Sequence, residues 1–339
     1  MTSLQVDERK QALQTWIAEQ VQASVTLQCV SGDASARRYF RFYFQGISHI
    51  AVDAPPATEN NVLFQALAEA YAKQGLKVPT VRSLEVNQGF MWLEDLGDCL
   101  LAEALNATTT LSLYQDALAC LPAIRTVQMT TLGALPAFDA AMMHQEMDLL
   151  ETWFVQGFLQ HRLNSSQQQQ LAAVKSLLVA AAVAQPQVGM HRDFHSRNLM
   201  LVEQRMAVID FQGAVRGPIT YDLVSLLKDV YQPWDKVMAM NLLKTHYNEL
   251  CQTEQLSKHI TWDDFLRWFD WMGLQRHLKI LGIFARLSLR DQKHQYLQDI
   301  PLTMKYVLDA AQTYSELQWL SDWLIQDIMP RWEQRCDER

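Results

Sequence analysis

The sequence predicts an α+β protein of two lobes, a small β-rich N-terminal lobe over residues 1–95 and a large, mainly helical C-terminal lobe over residues 96–339. Three observations predict it. Up to residue 95 the chain carries β-branched and aromatic runs separated by turn signals around one helical pattern. Beyond "LGD" at 96–98 most apolar residues recur with helical period. In that second part the main β signal is one hairpin, framed by a histidine, two aspartates and an asparagine in "HRDFHSRNLMLVEQRMAVIDF" at 191–211. A length of 339 residues allows one large or two medium domains, and 49% hydrophobic with 19% charged residues is a globular composition.

The elements follow in order. "MTSLQVDERKQALQTWIAEQ" is charged and amphipathic, unlike a signal peptide. "VTLQCVSG" and "RRYFRFYF" have strand composition, "SHIAVDAPP" ends at two prolines, and "QGFMWLEDL" follows another turn. Between the last two, "ENNVLFQALAEAYAKQG" reads as a helix that stops at Gly75. In the second part, "SSQQQQLAAVKSLLVAAAVAQ" opens with Ser165 and Gln168 in capping-box spacing, its glutamines forming a solvated face, and "DDFLRWFDWMGLQRHLKILGIFARLSLRD" reads as one long helix. No internal repeat is visible. No run is apolar enough to span a bilayer, and five scattered cysteines form no disulfide or C-x-x-C framework, which fits a reducing, cytoplasmic location. A net charge of −8 argues against a general nucleic-acid footprint.

The hairpin carries the chemistry. Two antiparallel strands joined by a tight turn return the chain to its starting end, so Asn198 before "LMLV" and Asp210 after "MAVI" face each other there. An amide oxygen and a carboxylate are hard ligands that suit Mg2+, with water and phosphate oxygens completing its shell. Asp193 on the preceding loop is close enough to orient a hydroxyl towards a metal-bound phosphate. His191 braces this loop, and Asp222 in "TYDLVSLL" is a helix cap or a second brace. His191 and His195 lack the further clustered ligands that zinc needs.

A small β lobe, a connector at about 93–96 and a helical lobe carrying a metal hairpin form the layout of the protein-kinase-like fold, with ATP in the cleft and its adenine against the connector backbone, here Glu94 and Leu96. "HRDFHSRN" followed by "VIDFQGA" resembles the aminoglycoside phosphotransferase family. "GDASARRYFR", "AVDAPP", "LEDLGD", "GPITYDLVSLLKD", "LQRHLKILGIFARLSLRD" and "YLQDIP" are similar to the anomeric N-acetylmuramate and N-acetylglucosamine kinases of bacterial peptidoglycan recycling. The resemblance implies ATP- and Mg2+-dependent phosphorylation of the sugar C1 hydroxyl to the α-1-phosphate. It makes Asp193 the catalytic aspartate and Asn198 and Asp210 the metal residues. The small-molecule acceptor it implies is an amino sugar, and a protein substrate is not expected, because only "FQGAVRGPITY" separates Asp210 from Asp222, short for an activation segment. Two other readings stand beside it: a kinase for a cationic acceptor such as an aminoglycoside or choline, and a non-catalytic nucleotide-binding module.

The chain departs from the family at one place. The resemblance implies a phosphate-binding lysine on the third strand paired with a glutamate on the next helix, where this chain has Asp53 and Phe64. "SGDASARRYF" is the expected substitute: Gly32 and Ser35 are small enough for backbone N–H groups to approach phosphate, and Arg38 or Arg41 supplies the cation, unless Arg37, Arg38 and Arg41 are all surface residues. Farther on, Arg276, Lys279, Arg286 and Arg290 fall on one stripe of the long helix. Either Arg276 and Arg286 bind the lactyl carboxylate of muramate, or the stripe is a solvated basic face.

Overall fold

Leu13, Trp16 and Ile17 recur at the spacing of one helix face, and in the computed structural model, which describes residues 7–31, 37–233 and 235–338, helix α1 (Glu8–Val21) forms there. The Asp7 carboxylate caps it by accepting from the Lys10 N–H at 3.0 Å. Its apolar face lies on Phe40, Phe42, Ala51 and Phe90 of a five-stranded sheet. Among the described residues the N-terminal lobe therefore holds two helices around its sheet, where the sequence pattern suggested one.

The strands are β1 (Gln28–Ser31), β2 (Arg38–Phe44), β3 (Ile47–Asp53), β4 (Val81–Glu85) and β5 (Phe90–Glu94), in the antiparallel order β1-β2-β3-β5-β4. The edge strand β4 is not legible in the sequence because its residues are nearly all half-buried, which leaves no alternation to read. Alternation elsewhere gives the sheet two working faces. Phe40, Phe42 and Ala51 point to α1, whereas Val52, Met91 and Leu93 join Ala54 and helix α2 (Asn61–Lys73) in the main core. Asn60 caps α2, and Gly75 ends it at φ +83°.

The C-terminal part runs through α3 (Leu101–Ala104), α4 (Thr110–Thr126), a two-residue ladder of β6 (Met129–Thr130) with β7 (Gly133–Ala134), and α5 (Ala140–Leu149). Helix α5 continues into a wider π turn at Leu150–Phe158. Then come α6 (Ser165–Val183), β8 (Gln187–Met190), β9 (Leu199–Val202), β10 (Arg205–Val208), β11 (Val215–Pro218), α7 (Tyr221–Leu227), α8 (Lys236–Gln252), α9 (Trp262–Asp291), α10 (Ile300–Thr313), α11 (Gln318–Trp323) and α12 (Met329–Asp337). The capping box of α6 is Asn164 with Gln167, one residue earlier than the expected Ser165 with Gln168. A second small ladder, β8 with β11, accompanies the expected hairpin of β9 and β10. The hairpin turns at Glu203 and Gln204, both at positive φ, as a right-twisted pair requires.

Helix α9 is the single long helix that the sequence predicts, and it is the axis of this part. Buried residues recur along it from Phe265 to Ser288, and it packs on α5, α6, α7 and α10. Gly282 sets the crossing with α5: a Cβ there would lie 2.3 Å from the backbone of Leu149. That close approach brings Glu146 of α5 against Gln275 and Lys279 of α9. No helix among the described residues is long and apolar enough to cross a membrane, and Cys29, Cys99, Cys120 and Cys251 are free.

Candidate active site

The loop between β8 and β9 is clamped from three directions. Asp222, in the first turn of α7, accepts from the backbone N–H groups of His191 at 2.8 Å and Arg192 at 3.0 Å, so it braces the loop and does not cap the helix. Burial raises the pKa of this carboxyl, and His191 and the two N–H donors oppose that rise. The His191 ring is buried, and its Nε2 donates to the Ile209 carbonyl at 3.0 Å, which ties the loop to the chain just before Asp210. Arg192 has φ +76°, a conformation that costs of order 1–3 kcal/mol for a residue with a side chain. Its carbonyl accepts from Arg276 Nη1 at 3.1 Å and its guanidinium meets Glu146, so both ends of the strained residue are held. Replacing Asp222 by Ala strands two buried N–H groups. We expect a loss of about 2–6 kcal/mol in urea unfolding, with less for Asp222→Asn, which keeps one acceptor.

The structure brings Asp193, Asn198 and Asp210 together. Asn198 Nδ2 donates to the Asp193 carbonyl at 3.0 Å and stands 3.4 Å from Asp210 Oδ2. Asp210 is itself left-handed, at φ +61°, which aspartate tolerates better than most residues. Gln212 donates to its other oxygen at 2.5 Å. Phe211 anchors the turn by stacking on Phe64 of α2, with ring centroids 4.9 Å apart, and meeting Tyr71 edge-on. Phe64 is thus part of the support under Asp210.

Asp193 keeps 46% of its side chain exposed and lies 3.8 Å from Arg276 Nη1. Burial alone would raise its pKa, but Lys279 and Arg276 outweigh that and hold it at about 2. A carboxylate that weakly basic is a poor proton abstractor. It can orient a hydroxyl and take up the proton late.

Around Asp193 lies a cluster the sequence pattern resolved only in part. Glu146 pairs with Lys279 at 3.0 Å and with Arg192, and accepts from Gln275 Nε2 at 3.2 Å. The Tyr221 hydroxyl accepts from Arg276 at 3.4 Å and Lys279 at 3.3 Å. Three cations (Arg192, Arg276, Lys279) thus gather around Glu146 and Asp193, and buried Asp229 adds its negative charge on the Arg276 side. Arg276 and Lys279 are 5% and 7% exposed, so this end of α9 is not a solvated basic face. The stripe divides along the helix. Arg286 lies ten residues, about 15 Å, farther on; it is half-buried, and burial and Arg290 lower its pKa. Arg290 is exposed and pairs with Asp291. Arg286 is therefore not beside Asp193 with Arg276.

At the other lobe Arg38 points to α1. It bonds Asp53 at 3.0 Å and also meets Asp7. Asp53 is on the same side, paired with Arg9, so it does not occupy a cleft-side lysine position. Arg41 bonds Asp95 at 2.5 and 3.0 Å and Asp98 at 2.9 and 2.8 Å. Both expected phosphate arginines thus have their guanidinium groups engaged by paired carboxylates. Gly32 and Ser35 lie outside the described residues. The Glu94 N–H donates to the Thr80 carbonyl at 2.9 Å, and its carboxylate bonds Lys77 and Thr80. Leu96 is buried against Met200 and Ala207, forming an apolar contact between connector and hairpin.

Comparison with known proteins agrees with this geometry. The profile of the phosphotransferase enzyme family (APH) matches residues 26–249. The chain is similar to the N-acetylmuramate/N-acetylglucosamine kinase of Pseudomonas putida, 34% identical over 327 residues, covering 93% of this chain and 96% of that protein. It is similar to the protein of the same name from Neisseria meningitidis serogroup B, 37% identical over 292 residues, covering 85% and 86%. A solved structure with the same architecture is a thermostable mutant of aminoglycoside phosphotransferase APH(4)-Ia in ternary complex with ADP and hygromycin B, at a TM-score of 0.58 and 16% identity over 87% of this chain and 98% of that one. That likeness bears out the two-lobed, kinase-like fold class predicted from the strand and hairpin pattern.

Proposed function

The chain belongs to the phosphotransferase enzyme family, and from that premise we propose that it transfers the γ-phosphoryl group of ATP to the anomeric C1 hydroxyl of N-acetylmuramate and N-acetylglucosamine, giving the α-1-phosphate, in cytoplasmic reuse of peptidoglycan sugars. The observation that supports the acceptor is the pair of buried cations, Arg276 and Lys279, beside Asp193. N-acetylmuramate brings a lactyl carboxylate, which Arg276 and Lys279 can neutralise with charge-assisted hydrogen bonds. A polycationic aminoglycoside or a choline would meet repulsion there.

In this reading residues 1–95 serve the nucleotide and residues 96–339 supply the catalytic loop, metal residues and acceptor site. Asp193 aligns the C1 hydroxyl and receives its proton as the new P–O bond forms. Asp210 has a carboxylate and Asn198 an amide whose Nδ2 faces it here; with the amide oxygen turned to the metal the two side chains would be a hard donor set for Mg2+, which when bound would neutralise charge on the phosphates. Most of the catalysis is positioning, so the clamps on Arg192 and the stacked Phe211 matter as much as the acids themselves.

The test is ADP release with Mg·ATP across N-acetylmuramate, N-acetylglucosamine, choline and kanamycin. Turnover is expected with the two amino sugars only, and turnover with kanamycin or choline alone would replace this reading with the cationic one. Arg276→Gln is then expected to raise KM for N-acetylmuramate about tenfold or more relative to N-acetylglucosamine, since only the former loses a charge-assisted contact. Equal changes for both sugars would confine Arg276 to clamping the loop.

A further inference from the structure

Arg37 is the one buried lysine or arginine among the described residues of the N-terminal lobe, at 2% exposure. The strand register locates it. Arg38 pairs with Asp53 across β2 and β3, so Arg37 falls beside Ala54, on the sheet face that Val52 and Ala54 turn to α2 and opposite to the face of Arg38 and Asp53. It forms an ion pair with Glu59 at 3.0 Å, just before the cap of α2. Its guanidinium lies 5.2 Å from the ring centre of Phe64, the ring on which Phe211 stacks. Tyr39, next on the same face, hydrogen-bonds Arg37 and feels the charges of both Arg37 and Asp210. One short chain of contacts thus joins Arg37 to the acid end of the site.

Asp193, Asn198 and Asp210 bring two negative charges and an amide to that end, while the cations of α9 are committed to the acceptor side. A triphosphate needs positive charge from the sheet side as well. We infer that Arg37, held by Glu59 over Phe64, is the cation on the nucleotide phosphates. A guanidinium has five donors, enough to serve Glu59, Tyr39 and phosphate oxygens together, and burial leaves its charge little screened by water. Glu59 is a positioning residue: it fixes the guanidinium and balances its charge.

This inference rests on the kinase reading, and binding measurements separate the two. With the full chain, calorimetry compares Mg·AMP-PNP with adenosine, which lacks phosphates. The parent is expected to prefer AMP-PNP; a parent that does not overturns the kinase reading and the role of Arg37 with it. Given that preference, Arg37→Ala should weaken AMP-PNP about ten- to a hundredfold and leave adenosine unchanged, Arg37→Lys should recover part, and Arg38→Ala should match the parent. In turnover, KM for ATP should rise while KM for the sugar stays. Equal weakening of both ligands, or of neither, overturns the inference. If Arg37→Ala does not fold, Arg37→Lys decides: an intermediate loss confined to AMP-PNP supports it, and parent-like binding overturns it.

Discussion

Asp193→Asn is expected to lower turnover by about 10²–10⁴-fold while leaving nucleotide affinity within a few-fold of the parent. The amide keeps the size of the side chain but cannot receive a proton, and it removes the negative charge that faces Arg276 and Lys279. Those two cations then have Glu146 and Asp229 to balance them. Some loss of stability follows, kept small because Asp193 is half-exposed and water screens the interaction. The decisive comparison is kcat in acceptor turnover against the dissociation constant for AMP-PNP. A parallel loss in both would mean that the residue organises the loop as a whole and does not address the acceptor.

Asp210→Ala is expected to reduce turnover by at least about 10³-fold and to abolish the dependence of nucleotide affinity on Mg2+. Alanine at φ +61° carries a backbone cost of roughly 1–2 kcal/mol, which would confuse charge loss with local unfolding. Asp210→Asn keeps a residue suited to that conformation and separates the two effects. Both variants should lose the Mg2+ response, and only the alanine should lower the melting temperature appreciably. Folded Asp210→Asn protein with parental turnover would remove Asp210 from the metal role.

How much of this was readable in the chain depended on how local the pattern was. The hairpin is local: two short apolar runs, a polar turn and their flanking acids lie within twenty residues, so Asp193, Asn198 and Asp210 could be grouped from spacing alone. The acceptor cluster is not local. Glu146 on α5, Arg192 on the loop, Tyr221 on α7 and Lys279 on α9 meet only because Gly282 lets α9 cross close to α5. The stripe of basic residues on α9 was visible, but its division at Lys279 was not, since burial is imposed by other helices. Alternation along "RRYFRFYF" places Arg37 and Arg38 on opposite faces. It could not say which face of the sheet looked inward, because α1 buries aromatic residues on the outer face as thoroughly as α2 buries the inner one. Arg38 then fell to the Asp53 side, the opposite of what a phosphate contact requires.

The central claim is phosphoryl transfer to an anomeric hydroxyl, and the product tests it most directly. Incubation with Mg·ATP and N-acetylmuramate followed by phosphorus and proton NMR should give one new phosphomonoester signal coupled to the anomeric proton, whose own small coupling to the C2 proton marks the α configuration. A signal coupled to the C6 protons, or conversion of ATP to ADP and inorganic phosphate with no sugar phosphate, would contradict it.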